Sequence, residues 1–343
     1  MNYQLEAKSQ LIYDGCPELV PEMSIMIPTF KRPSTLKTAI DSCVKQNTSI
    51  SFEVVIVDND DQAEFEVEIN HLVECYSQFN IRYFRNTKNI GMFGNWNRCI
   101  SLARAKWLTI LNDDDCLLPN FLEVSNYYRY TESMIITDFY NVNSEEKISE
   151  LIEECSDFSP SYQGQTQNKP AKKLNYSDIF WRNPINGSLG AVFEKEKAEY
   201  IGGYNLDNYP NSDYYFTFLY WKHYGISRIP KKLTVYRWGE NESLKVETLV
   251  GFFRNDFKLR NEMLDDIFES ESILKTFYFK VSQMIALRSL AGYYKVNELI
   301  PTEQLIDEIS VSPKLKPKFL SSPMISVALK GCVKLLDLYY KVK

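Results

Sequence analysis

Residues 107–119 read Trp107-Leu-Thr-Ile-Leu111-Asn112-Asp-Asp-Asp115-Cys-Leu-Leu-Pro119, a short apolar run that passes directly into three consecutive carboxylates. The apolar half has the pattern of a strand buried on both faces, which is how strands of parallel sheets read. The acidic half would repel itself unless a cation or a helix N-terminus relieves the charge. A hard divalent ion with oxygen ligands, Mg2+ or Mn2+ shared with a substrate phosphate, would do so. The competing reading is a solvated turn capping the helix that opens at Pro119. Leu117-Leu118-Pro119-Asn120-Phe121-Leu122 follows at once, which argues against a casual surface loop.

Working outward, Ser24-Ile-Met-Ile-Pro-Thr29 and Glu53-Val-Val-Ile-Val-Asp58 repeat the pattern of a buried strand ending in a polar or proline-containing corner. Between them, Ser34–Gln46 places Leu36, Ala39, Ile40 and Val44 on one helical face. A second amphipathic helix fits Phe65–Phe79, a short strand Ile81–Phe84, and a third helix Asn95–Ala105. Strands alternating with helices imply an α/β fold with a mixed, mostly parallel sheet flanked by helices. Ligands of such sheets bind outside the carboxyl ends of the strands. Pro28-Thr29, Asp58-Asn59 and Asp113-Asp114-Asp115 are therefore expected on one rim.

Residues 141–175 are polar and read as a long surface excursion with no assigned helix. The alternation resumes at Ile185, with a strand at Gly190–Phe193, a short helix to Tyr200, and a helix opening at Asn211-Ser-Asp-Tyr-Tyr215. Leu233–Trp238 reads as the last strand, and everything from Thr248 onward reads as helix.

Composition narrows the chemistry. The 343 residues carry a net charge of −6, which argues against a protein that coats nucleic acid. Two histidines, His71 and His223, rule out a three-histidine zinc site, and both read as structural or merely exposed. Seven scattered cysteines with no Cys-x-x-Cys fit reduced, mostly buried thiols and a cytoplasmic setting. The N-terminus lacks a basic start followed by an apolar run, and no long uncharged apolar stretch suggests a spanning helix.

Taken together, the motifs resemble family 2 glycosyltransferases. Ser24-Ile-Met-Ile-Pro-Thr-Phe-Lys-Arg32 is similar to that family's opening strand, and Val54-Val-Ile-Val-Asp58-Asn59 to its second. Asn89-Ile-Gly91-Met-Phe-Gly-Asn95-Trp-Asn97 resembles its Asn-x-Gly segment, and Asn112-Asp-Asp-Asp115-Cys-Leu-Leu-Pro119 its aspartate-rich motif. The resemblance covers roughly residues 23–240 and implies the GT-A (Rossmann-like) fold. It puts Pro28, Thr29, Asp58, Asn59, Asn89, Asn97, Asp113 and Arg237 around a nucleotide-diphosphate sugar. Asp114 and Asp115 become ligands of Mn2+ or Mg2+. Two positions depart from the family pattern: Asn112 begins the acidic motif, and Asn59 stands where a second acid is usual. The amide oxygen of Asn59 could still accept from a uracil N–H.

The implied reaction is inverting transfer from a nucleotide sugar, with UDP expected, to a hydroxyl of a glycan or lipid-linked glycan. Such a displacement needs a carboxylate base on the acceptor side, and the resemblance assigns Asp213, although Ser212 replaces the usual Glu before it. On its own Asp213 would read as a helix cap. Trp181 and Trp221 could stack on sugars, though buried tryptophans are commoner. The alternatives are a catalytically inactive glycan-binding scaffold of the same fold, or a nucleotidylyltransferase. The latter lacks its glycine-rich loop, because Pro28-Thr-Phe-Lys-Arg32 contains no glycine.

The expected organisation is an N-terminal extension over 1–22, a catalytic domain over 23–240, and a helical region over 241–343. The catalytic domain divides into a nucleotide-sugar half, 23–135, and an acceptor half, 136–240. Residues 313–343 carry +6, leaving −12 on the rest. Ser326, Lys330, Lys334, Asp337 and Lys341 fall on one stripe of a helix over Ile325–Val342. Such a tail suits an anionic bilayer surface at the inner face of the plasma membrane, or a dock on the protein itself.

Overall fold

A computed structural model describes residues 7–156, 170–238, 246–297 and 322–342. The chain forms two compact units. The first comprises Met1–Lys173, Ile185–Leu206 and Phe216–Gly239; the second comprises Leu174–Pro184, Asp207–Tyr215 and Glu240–Lys343.

The first unit is built on one mixed sheet. Its central strands are β2 (Met23–Thr29), β3 (Phe52–Asp58), β4 (Ile81–Asn86) and β5 (Trp107–Ile110). They run parallel in the order β4-β3-β2-β5, with Thr29 opposite Asp58 and Met26 opposite Ile110. Helices α1 (Pro33–Val44), α2 (Glu66–Cys75) and α3 (Gly91–Leu102) make the crossovers. Every residue of β2 and β5 is buried, so these strands read as mostly apolar runs rather than alternating ones. Ile25, Ile27, Leu36, Ile40, Val54, Ile56 and Ile69 meet in one core beneath the sheet.

The sheet extends on both sides. At one edge β1 (Ser9–Asp14) pairs antiparallel with β4, so part of the stretch expected as an N-terminal extension belongs to the sheet. Beyond β5 come β9 (Ala191–Glu194), β7 (Met134–Val142), β10 (Ser227–Arg237) and the two-residue β6 (Cys116–Leu117). A short β8 (Lys172–Lys173) also pairs with β10. Strand β10 starts at Ser227, well before the expected Leu233, and its register shifts between Ile229 and Lys232, around Pro230. Between β6 and β7 lies α4 (Phe121–Arg129). A helix, α5 (Glu145–Ser156), occupies the front of the polar excursion, where the sequence reading assigned none. Its Ile148 is buried, with Leu151 and Ile152 packed against Cys116, Leu118 and Val235, which is the apolar face that holds it.

One buried charge anchors the sheet's lower edge. Glu53 accepts from Arg82 Nε at 2.8 Å, Ser24 Oγ at 2.6 Å and the Arg104 backbone N–H at 2.9 Å. Such saturation is what makes an enclosed ion pair tolerable.

The second unit is helical. It contains α6 (Tyr176–Trp181), the first turn of α8 (Ser212–Tyr224), α9 (Val246–Asp265), α10 (Ile273–Asn297), α11 (Pro323–Lys334) and α12 (Leu336–Val342). One further helix, α7 (Lys195–Tyr200), belongs to the first unit. The tail is two helices broken at Leu335 rather than the single helix expected over Ile325–Val342. Leu329, Val333 and Leu336 are buried, and Asp337 accepts from the Ser177 backbone N–H and hydroxyl, both at 2.8 Å. Asp337 therefore faces α6 rather than solvent. The lysines at 314, 316 and 318 lie outside the described residues. No helix among the described residues is long and apolar enough to cross a membrane.

Candidate active site

The parallel register brings the carboxyl ends of β2, β3 and β5 to one rim of the first unit, carrying Pro28-Thr29, Asp58-Asn59 and the Asn112–Asp115 turn. The turn's three carboxylates have different environments. Asp113 is fully buried: Oδ2 accepts from Thr29 Oγ1 at 2.7 Å, and Oδ1 lies 2.7 Å from Arg32 Nη2. Burial pushes its carboxyl up to about 6, with Arg32 pulling the other way. Asp114 retains 20% of its side-chain exposure and meets Arg32 Nη1 at 2.9 Å. One guanidinium thus spans two carboxylates.

Asp115, expected beside Asp114 as a metal ligand, is turned into the fold. Oδ1 accepts from the Arg237 backbone N–H at 3.0 Å and Oδ2 from Asn112 Nδ2 at 3.1 Å. Burial, reinforced by the neighbouring Asp114, pushes the Asp115 carboxyl up to about 8. With both oxygens engaged, this carboxyl closes the acidic turn.

Arg237 also serves the turn. Its Nε donates to the Asp114 carbonyl at 2.8 Å, and its Nη1 pairs with Glu145 at the start of α5. The guanidinium expected beside a diphosphate therefore buttresses the acidic loop from β10.

The asparagines form the frame of the rim. Asn59 is 4% exposed and its amide is saturated. Its Nδ2 donates to Asn89 Oδ1 at 2.8 Å and to the Gly91 carbonyl at 3.3 Å, while Oδ1 accepts from Asn86 Nδ2 and the Ile90 N–H. The oxygen expected to read a uracil N–H is thus already committed. Asn89 turns Oδ1 inward to Asn59 and the Gly91 N–H. Asn97, expected at the nucleotide sugar, is buried and clamps Tyr204 by a reciprocal pair of 2.7 Å bonds to its backbone N–H and carbonyl. Gly203 lies against this clamp at φ +63°, where a Cβ would stand 2.3 Å from Asn97 Oδ1. Asp58 accepts from the Asp60 N–H at 2.9 Å and the Tyr83 hydroxyl at 3.1 Å, and burial pushes it up to about 6. Pro28 is buried in β2.

The sequence reading left Arg32 and Tyr83 without a role. Arg32 stood in the quoted motif, three residues after Thr29, and that spacing was the available signal. Tyr83 carried none, because its partner comes from a neighbouring strand.

In the second unit, Asp213 lies in the first turn of α8 and accepts from Asn183 Nδ2 at 2.9 Å. Burial pushes its carboxyl up to about 7, with the charge of Asp256 adding to the shift and the Tyr214 N–H opposing it. A carboxylate poised near neutrality can take a proton from a hydroxyl. Trp181 lies under the cations of Arg288, at 5.5 Å, and Lys330, at 5.4 Å.

Among the described residues no cluster of three or more His, Cys, Asp or Glu side chains forms a ready metal cage. Mg2+ and Mn2+ are commonly held by one or two carboxylates and completed by substrate phosphates. Asp114 is the carboxylate exposed enough to serve, and the guanidinium now lying across it and Asp113 marks where positive charge is favoured.

Residues 24–202, just over half of the chain, match the profile described as Glycosyl transferase family 2. An uncharacterized glycosyltransferase of Haemophilus influenzae is 26% identical over 181 residues, 53% of this chain and 55% of that one. The GalNAc(5)-diNAcBac-PP-undecaprenol beta-1,3-glucosyltransferase of Campylobacter jejuni is 25% identical over 198 residues, 53% of this chain and 62% of that one. The matched region thus spans little more than half the length of these curated relatives. Among solved structures, S. aureus TarS 1–349 in complex with UDP superposes with a TM-score of 0.54 at 14% identity, over 93% of this chain and 90% of that one. The mannosyltransferase PcManGT from Pyrobaculum calidifontis, in complex with GDP-Man and Mn2+, gives 0.51 at 12% identity, over 98% and 91%.

Proposed function

Because the chain belongs to glycosyl transferase family 2 and has the GT-A fold, we propose that it transfers a sugar from a nucleotide-diphosphate sugar to a hydroxyl of a glycan acceptor. The observation that carries this reading is the rim itself: Asp113 and Asp114 gathered with Arg32 at the carboxyl ends of three parallel strands. The donor is a UDP-sugar by preference, in keeping with the UDP bound to TarS. The acceptor is a lipid-linked glycan, in keeping with the undecaprenol-linked substrate named for the Campylobacter relative.

Transfer proceeds by a single displacement with inversion. The acceptor oxygen forms a bond to the anomeric carbon as the bond to the nucleoside diphosphate breaks, and the electron pair leaves with the diphosphate. Asp213 takes the hydroxyl proton. Asp114 is the residue that would hold Mn2+ or Mg2+, which when bound would neutralise charge on the leaving diphosphate. Arg32, lying across Asp113 and Asp114, stands within the rim where diphosphate oxygens would be received. Asp113, under Thr29 and Arg32, fixes the geometry of the turn. Asn59 and Asn89 hold the Asn89–Gly91 corner, and Asp115 with Arg237 holds the acidic loop, so these act on the donor through the backbone they position.

The enzyme works at the inner face of the plasma membrane, attached through residues 313–343. Supporting this, Met324, Val327, Leu335 and Leu338 remain 82%, 71%, 51% and 62% exposed, and Lys330, Lys334 and Lys341 are exposed on the same two helices. Apolar side chains flanked by lysines suit insertion into an anionic headgroup layer.

A thermal-stability screen of UDP-, GDP- and dTDP-sugars with Mn2+ or with EDTA tests the donor reading. A donor at about 100 times its Kd adds roughly 2.7 kcal/mol to stability. Stabilisation by one nucleotide class in Mn2+, lost in EDTA, is expected. No stabilisation by any of them would overturn the reading.

A further inference from the structure

Helix α9 grips the segments that present Asn183 and Asp213, and it does so with one face. Asn255 Nδ2 donates to the carbonyls of Asn208, at 3.1 Å, and Tyr209, at 2.8 Å. Gly251 leaves room for Pro210, which would stand 2.7 Å from a Cβ there. Asn211 Nδ2 returns to α9, donating to the Phe252 carbonyl and to Asp256 Oδ1. Arg260, 1% exposed, donates to the Phe180 carbonyl at 2.8 Å, the Trp181 carbonyl at 3.2 Å and Asp256 Oδ2 at 3.4 Å. Its guanidinium also lies 6.0 Å from the Tyr214 ring. Residues 251, 255, 256 and 260 thus tie down the approach to α8 on one side and the end of α6 on the other.

We propose that Asp256 is a positioning residue for transfer: paired with the buried Arg260 and holding Asn211, it fixes the start of α8 and with it the place of Asp213. The proposal rests on Asp213 being the acceptor-side base. The physical logic is a chain of charges. Arg260 is always protonated, and its enclosed charge requires a carboxylate partner. Asp256 supplies it; burial raises its own carboxyl while Arg260 and Asn211 pull it back, and its charge in turn raises Asp213. A like charge close by disfavours ionisation of Asp213 and so strengthens it as a base. Among the groups facing Asp213 are Asp256 from α9, the Asn183 amide that follows α6, and the backbone N–H groups of Tyr214 and of Asp213 itself. Glu262, farther along α9, is engaged by the Tyr215 hydroxyl at 3.3 Å. Position and basicity are therefore set by the same side chain.

Carboxyl-carbon NMR titration of the full chain, labelled at aspartate, tests this without any sugar substrate. The Asp213 resonance is identified by its loss in Asp213→Asn. Its midpoint should fall by about one pH unit, tenfold in the protonation constant, in Asp256→Asn, and return in Asp256→Glu. If Asp256→Asn does not fold, Asp256→Asn/Arg260→Met removes both enclosed charges together and must show the same direction of shift. An unchanged midpoint in a folded variant lacking Asp256 overturns the proposal. A shifted midpoint in a protein whose Asp213→Asn variant still turns over normally would instead overturn Asp213 as the base, leaving the electrostatic link intact.

Discussion

Arg32 Nη1 lies 2.9 Å from Asp114 Oδ2 while its Nη2 reaches Asp113, so the carboxylate proposed to hold the metal already has a cation, supplied by the chain. A divalent ion must displace that guanidinium. Arg32→Ala should therefore tighten binding of Mn2+ alone, by about fivefold if the half-exposed pair is worth roughly 1 kcal/mol. Isothermal titration of Mn2+ in the absence of nucleotide measures this. Weaker binding in the variant would mean that Arg32 helps to form the site rather than competing for it.

Asp114→Ala should remove the metal dependence of nucleotide binding and abolish transfer while leaving the fold intact. Its carboxylate is partly exposed and its side-chain bond is to Arg32, so the stability cost should stay within about 1 kcal/mol. Normal turnover that resists EDTA would overturn the assignment.

Asp213 separates two roles by the sign of a stability change. Its carboxyl is pushed up to about 7, above its unfolded value, so stability is lost as pH rises from the ordinary carboxylate range to about 7 and stays lost above it. Asp213→Asn should lower turnover about 10²- to 10⁴-fold, and it should raise Tm more at pH 8 than at pH 5 and little at about pH 4. A residue serving only as an acid in the first turn of α8 predicts the reverse, a lower Tm at pH 8. In the wild type, turnover should rise with pH through about 7 as the base loses its proton.

Asn97→Ala leaves the buried backbone N–H and carbonyl of Tyr204 without their partner. Each buried group left unmade costs about 1–3 kcal/mol, so urea denaturation should detect a loss of several kcal/mol. The donor KM of the folded fraction should stay at the wild-type value. A raised KM at unchanged stability would return Asn97 to the ligand.

Truncation is a poor probe of the tail, because Leu329, Val333 and Leu336 are buried and deleting them opens the second unit. The informative variant replaces Val327, Leu335 and Leu338 with serine. It should keep its Tm and lose sedimentation with vesicles containing anionic lipid at low salt. Full-length protein that ignores such vesicles would contradict the membrane reading.

The rim was legible in the sequence because continuous β-branched and apolar runs ending in Thr29, Asp58 and Asp113 can be read residue by residue. Less legible was which polar side chains point outward. Asp113, Asp114 and Asp115 are identical in kind, yet only the structure separates the exposed one from the two that burial has raised. Asn59 and Asn97 have ordinary donors and acceptors whose partners, Asn86 and Tyr204, arrive through tertiary contacts. Strand β7 escaped notice because its burial is continuous at first and then mixed, giving neither clean period. Pro230 hid the first half of β10, and the face of α5 was masked by its many acids.

The most direct test follows the donor itself. Proton NMR of a UDP-α-sugar incubated with the protein and Mn2+ reports the anomeric configuration of the first sugar released to water or to an added acceptor hydroxyl. The account predicts a β-configured first product that disappears in Asp114→Ala and in EDTA. An α-configured first product, or donors of every nucleotide class left intact, would contradict it.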